Sequence, residues 1–179
     1  MRQATGTAVL PILLCPQDPA YQREHVLDGY LGPLAVGYAL GPPFDGRRLV
    51  TRADLRRSAT SRGALRRRAA TYLDAMLTRV RIHGQPPALM LSFNGFESSV
   101  VLADAFWADL AGRVPGDIVI GVPARDVVIV TGSRSPAGLA KARRAVDRVF
   151  YAGGPHLLMR DLLVRRDGGW ESYAGAAGR

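Results

Sequence analysis

The chain has 179 residues, 47% of them hydrophobic, a mean hydropathy near zero and a net charge of +9. That length suits one domain burying roughly two-thirds of its unfolded surface, and no stretch approaches the ~18 apolar residues of a membrane span. One cysteine, Cys15, excludes an internal disulfide, and with only three histidines no Cys/His metal pattern is available, which makes the cytoplasm the default compartment.

The first apolar run, Ala8 to Leu14, follows a basic residue and precedes a cysteine, an arrangement that can announce export. Pro11 interrupts it and Leu14 stands where a signal peptidase requires a small side chain, so it reads as a first strand. Pro16 to Pro19 reads as a turn, and Ala20 to Leu27 as a weak helix or irregular connection. Leu34 to Leu40 is a second strand closed by Gly41-Pro42-Pro43, with a brief third at Arg48 to Val50 after an Asp45-Gly46 turn.

Thr51-x-x-Asp54 has the form of a capping box and predicts a short helix over Arg52 to Arg57. Ser61 can cap a longer one. Leu65, Ala69, Tyr72, Leu73, Met76, Leu77 and Val80 recur at spacings of three and four, the buried face of a helix from Ser61 to Arg81. Arg62, Arg66 and Arg67 fall on its opposite side. Gln85-Pro86-Pro87 ends that unit, and Ala88 to Phe93 is a strand. Asn94-Gly95 would suit a hairpin, yet Val100, Ala103, Trp107 and Leu110 keep helical spacing; this favours a loop at Asn94 to Glu97 and a helix from Ser98 to Ala111.

Gly116 to Ser133 is the most strand-like stretch. Val119, Ile120 and Val122, then Val127 to Val130, have the composition of strands buried on both faces, separated by Pro123-Ala124-Arg125-Asp126. Ser135-Pro136 opens a helix to Tyr151 with Leu139, Ala142, Val146, Val149 and Phe150 as its buried stripe. LLVRRDGGWESY alternates as a closing hairpin turning at Asp167-Gly168-Gly169. Together these predict a single α+β domain over 1–179, a mainly antiparallel sheet of about five to seven strands with three main helices packed against it.

Two motifs in this succession, Glu97-Ser98-Ser99-Val100-Val101-Leu102 and Val122-Pro123-Ala124-Arg125-Asp126-Val127, resemble patterns of the DUF1444 family of bacterial proteins of unknown function. The resemblance runs from about Val9 to Ser172, and the arginine cluster here is denser than the family's. It implies an α+β fold and a bacterial intracellular setting, and no known reaction.

Arg125 and Asp126 form the first candidate site. The guanidinium could clamp an anionic group with Asp126 orienting it or acting as a base, or the two could simply stabilise a turn. Asn94, Glu97, Ser98 and Ser99 form a second. Glu97 could serve as acid or base and Ser98 as nucleophile, but no GxSxG or SxxK surrounds them, and a carboxylate opening a helix is the simpler account. Of His25, His83 and His156, the last, after Gly-Gly-Pro, is the candidate for catalysis. Nucleotide-loop, HExxH and EF-hand patterns are absent, so neither a cofactor nor a metal is expected.

The charge lies in one place. Eleven arginines between Arg47 and Arg81 stand against Asp54 and Asp74, leaving thirteen basic and thirteen acidic residues elsewhere. The reading that follows is a non-catalytic binding or accessory protein that docks an acidic protein partner through Arg56, Arg57, Arg62, Arg66 and Arg67. Nucleic acid is the alternative partner, against which stands the lack of aromatics on that face to stack on bases. A small enzyme would instead show a concave pocket joining Arg125, Asp126 and Glu97.

Overall fold

The computed structural model describes residues 7–42, 44 and 48–174; Pro43, the Asp45-Gly46 turn and Arg47 lie outside them. Strands β1 (Ala8–Leu14), β2 (Asp28–Gly29) and β3 (Ala35–Gly41) form an antiparallel sheet in the order β1-β3-β2. Ala20 to Leu27 is not helical but turns into a single bridge between His25 and Thr51, and the expected strand at Arg48 to Val50 contributes one bridge, Leu49 to Ala39. Helices α1 (Arg52–Arg57) and α2 (Arg62–Met76) follow, each capped as its sequence requires. Thr51 and Asp54 make both halves of the capping box, and the Ser61 hydroxyl accepts from Ala64 N.

Two expected helices are shorter than their spacing suggested. The helix from Ser61 to Arg81 stops at Met76; a 3-10 turn at Leu77–Arg79 leads into strand β4 (Arg81–His83), which pairs with β5 (Leu89–Ser92). Val80 is buried in its extended conformation just as it would be in a helix, so the apolar spacing did not distinguish the two. The helix from Ser98 to Ala111 is two pieces, a 3-10 segment at Glu97–Leu102 and α3 (Asp104–Leu110), broken at Ala103. Residues Glu97 to Val101 are all buried, wedged between β1 and the larger sheet, where the tighter 3-10 bonding still turns Val100 inward. Val100 O then accepts from the Trp107 indole at 2.7 Å.

The remaining elements are β6 (Ile118–Ala124), β7 (Val127–Gly132), α4 (Pro136–Ala152), β8 (Leu162–Arg166) and β9 (Gly169–Ser172). The larger sheet has six strands, all antiparallel, in the order β4-β5-β7-β6-β8-β9. The fold is α+β as expected, with a separate three-stranded sheet besides.

Alternation along the central strands explains why they are apolar throughout. Ile118, Ile120, Val122, Val128, Val130 and Leu163 face the main core shared with the smaller sheet and α2. Val119, Ile129, Leu162 and Val164 face the other way, onto Ala142 and Val146 of α4. A glycine is required where α4 packs closely on β6, since a Cβ at Gly121 would lie 2.8 Å from Val146. No helix among the described residues is long and apolar enough to cross a membrane.

Candidate functional site

The β6–β7 connection is tighter than the sequence indicated. Pro123 and Ala124 belong to β6, so only Arg125 and Asp126 form the turn, with a register shift between Gly121 and Ala124 that marks a bulge. This twist carries the Arg125 side chain inward until only 5% of it is exposed. Its backbone is fully engaged: Arg125 N donates to His156 O at 3.0 Å, and Arg125 O accepts from Ser98 N at 2.9 Å.

The buried guanidinium meets Asp18, from the loop after β1, whose side chain is 0% exposed. Asp18 Oδ2 accepts from Arg125 Nη2 at 2.8 Å and from His156 Nδ1 at 2.9 Å. Its other oxygen, Oδ1, accepts from Ala20 N at 2.8 Å and so also holds its own turn. Cys15 Sγ donates to Leu157 O, joining the same two segments a second time. Three stretches far apart in sequence therefore converge on one carboxylate.

Because a carboxylate only accepts, His156 Nδ1 carries the proton and, in the neutral ring, Nε2 is left as an acceptor. The His156 side chain is 42% exposed and the residue lines a cleft of about 600 Å³; the ring edge turned away from Asp18 makes no hydrogen bond among the described residues. Phe44, Phe96, Val127, Val149 and Leu157 make its apolar walls; Asn94, Arg125, Asp126 and His156 supply polar side chains. The end of α4 reaches the cleft at Ala152 and Gly153 and brings the partial negative charge of its last carbonyls.

The structure brings Arg125, Asp126 and His156 to this cleft and leaves Glu97 and Ser98 behind its wall. Glu97 Oε1 accepts from Phe93 N at 2.7 Å and Gly95 N at 3.2 Å, fixing the Asn94-Gly95 turn that forms part of the rim. The Ser98 and Ser99 hydroxyls, Glu97 Oε2 and Arg125 Nε are buried without a protein partner. Asp126 is exposed. Among the described residues no group of three or more His, Cys, Asp or Glu side chains could hold a metal ion.

The arginine-rich surface divides into two sets. Arg66 donates to both oxygens of Asp28, from Nη2 at 2.6 Å and Nε at 2.9 Å, and Arg62 Nη1 lies 3.6 Å from the same carboxylate. Arg57 pairs with Asp54 at 2.5 Å. Arg56 and Arg67 are exposed and meet no carboxylate among the described residues.

Asp18 is the residue of this constellation that the sequence does not single out. Its only local signal is a proline-flanked turn, which accounts for the Ala20 bond and for neither of the others. No protein-family model, curated protein or solved structure matches the chain, so the likeness to the DUF1444 family rests on its motifs alone.

Proposed function

We propose that the protein binds a small organic ligand in the cleft between the β6–β7 turn and the end of α4. One observation carries the reading: a fully buried carboxylate fixes Nδ1 of His156, a part-exposed residue in the lining of a largely apolar cavity, and Nε2 has no partner among the described residues. The charge balance selects the ligand. Arg125 is offset by Asp18, Asp126 adds a carboxylate, and the α4 carbonyls add partial negative charge, so the described residues give the cleft no positive excess to hold an anion. An apolar body carrying a neutral hydrogen-bonding group fits it. Ligand-observed NMR with a library of neutral aromatic and aliphatic fragments tests this. Binders are expected whose signals change on His156→Ala and not on His83→Ala; binders indifferent to His156 would remove the reading.

Docking of an acidic protein is a second reading, supported by Arg56 and Arg67 and not by the whole arginine cluster. Arg62, Arg66 and Arg57 are committed to Asp28 and Asp54, whereas Arg56 and Arg67 are exposed on the helical surface and meet no carboxylate among the described residues. Retention on immobilised poly-glutamate should fall when both are changed to Glu, with the far-ultraviolet circular dichroism unchanged. Stronger competition by single-stranded RNA than by free poly-glutamate would turn this reading toward nucleic acid.

A further inference from the structure

We infer that the Asp18–His156 pair is a general-base device and that the cleft hydrolyses neutral carboxylic esters with water as nucleophile. This rests on the cleft being a ligand site and adds a reaction to it.

The argument begins with Asp18 Oδ2, which touches both His156 Nδ1 and Arg125 Nη2. Imidazole and guanidinium therefore sit side by side on one oxygen, the first able to accept a proton at Nε2 and the second able to steady negative charge. Asp18 cannot move to water, because its side chain is fully buried and its Oδ1 is held by Ala20 N. It is a positioning residue that fixes the ring and its tautomer.

The nucleophile follows from what the wall contains. Ser, Thr, Cys and Lys are absent from the described lining residues, and the nearby Ser98 and Ser99 are buried and are not among them. No hydroxyl, thiol or amine nucleophile is thereby offered by the described lining residues, and with Nε2 assigned as the base a water molecule beside it takes the part of nucleophile. The substrate class follows from the same charge balance as before: an uncharged acyl group in the apolar walls, its carbonyl oxygen toward Arg125 and the Asn94 amide.

In the step, water gives a proton to His156 Nε2 as its oxygen bonds to the acyl carbon, and the carbonyl π pair moves onto the carbonyl oxygen. Arg125 and Asn94 hold that oxyanion. Collapse restores the carbonyl and breaks the bond to the alkoxy oxygen, which leaves with the proton from Nε2. One ester and one water become one acid and one alcohol. Asp18, Arg125 and Asp126 are the charged groups near the ring, and none of them gains or loses a proton overall.

Hydrolysis of p-nitrophenyl acetate, butyrate and octanoate by the full chain provides the test. Saturable turnover is expected, favouring the longer apolar acyl groups. His156→Ala should lower kcat/KM about a hundredfold or more. His25→Ala and His83→Ala should leave it unchanged. Asp18→Asn should lower kcat with little change in KM and distort the pH profile, which lost packing alone would not do. Since Asp18→Asn also disturbs a buried pair, His156→Gln, at the half-exposed ring, keeps the test decisive if it unfolds. Turnover linear in ester concentration, or surviving in both His156 variants, would overturn the reaction. Binding of p-nitrophenyl butyl ether, which cannot be hydrolysed, separates the two ideas: an ether bound through His156 with no ester cleaved leaves the ligand site and removes the chemistry.

Discussion

Arg66 grips both carboxylate oxygens of Asp28, 38 residues earlier, and so joins α2 to β2 by a two-point contact. The Tyr38 hydroxyl donates to the same carboxylate from β3. The Arg66 hydrogen bonds, opposed in part by burial, hold the Asp28 carboxyl below its usual 3.8. A depressed folded value means that this contribution is complete above the unfolded value and disappears as pH falls through the folded one. Carboxyl NMR titration of Arg66→Lys, which keeps the charge and loses the planar fork, should show Asp28 returning toward its ordinary value. An unchanged Asp28 would mean that the fork is not what lowers it.

Asp18 and Arg125 make the opposite kind of pair, dry and buried. Removing one partner from such a pair costs about 3–5 kcal/mol, because the other charge stays buried alone. Asp18→Asn keeps the volume and the acceptor for Ala20 N but replaces Oδ2 by an amide that cannot accept from Arg125 or His156, so its cost combines the lost charge with both lost hydrogen bonds. Urea unfolding should show a loss of about 3 kcal/mol, most of it recovered in the double variant with Arg125→Met. His156→Ala, at a side chain 42% exposed, should cost about 1 kcal/mol or less. A double variant as unstable as Asp18→Asn would place the cost in the turn and not in the ion pair.

The elements whose cause is local were readable along the chain. Thr51 with Asp54, Ser61, and Ser135 before Pro136 each cap the helix that their spacing announced. The central strands were readable because no other arrangement buries Val119 and Ile120 on opposite faces. What failed depended on distant partners. Val80 is buried beside strand β4 as it would be in a helix, and the 3-10 segment Glu97–Leu102 exists because it is wedged between two sheets. Arg125 was identifiable as a candidate, but its partner lies 107 residues away in a turn whose composition already explained an aspartate. The arginine cluster was visible in number; which guanidinium groups are engaged depended on Asp28, placed beside α2 only by the fold.

Two tyrosines should ionise late. Burial, reinforced by the charge of Asp104, pushes Tyr30 up to about 12, and burial with the hydrogen bond to Asp28 raises Tyr38 further. A raised acid keeps more protons folded than unfolded, so stability is full below about pH 10 and falls as pH rises toward the folded values. Ultraviolet difference titration should show delayed phenolate formation that Tyr38→Phe reduces by one group. The same variant removes a donor from Asp28 and should move that carboxyl upward. Loss of the Tyr38 signal without any response at Asp28 would contradict the hydrogen bond between them.

Two helical glycines should respond in opposite directions to the same change. In a helix interior, Gly→Ala is favourable by about 1 kcal/mol, because alanine gives up less backbone freedom on folding, and that value is an upper bound for Gly63 and Gly138, which lie in first turns. At Gly63 in α2 the added methyl would come no nearer than 3.5 Å to the end of the Arg67 side chain, so the gain should survive as a rise in stability of up to about 1 kcal/mol. At Gly138 in α4 a Cβ would stand 2.0 Å from Thr131 Oγ1 and 2.4 Å from Pro87 O. The Thr131 hydroxyl donates to that carbonyl at 2.7 Å, so the methyl would force apart a hydrogen bond as well as a helix and a sheet. Overpacking of this kind costs about 1–3 kcal/mol, enough to outweigh the helical gain. Thermal unfolding of the two alanine variants measures both signs. A stabilised Gly138→Ala would mean that the start of α4 can lift from the sheet, and the close packing that buries the central strands on their second face would lose its support.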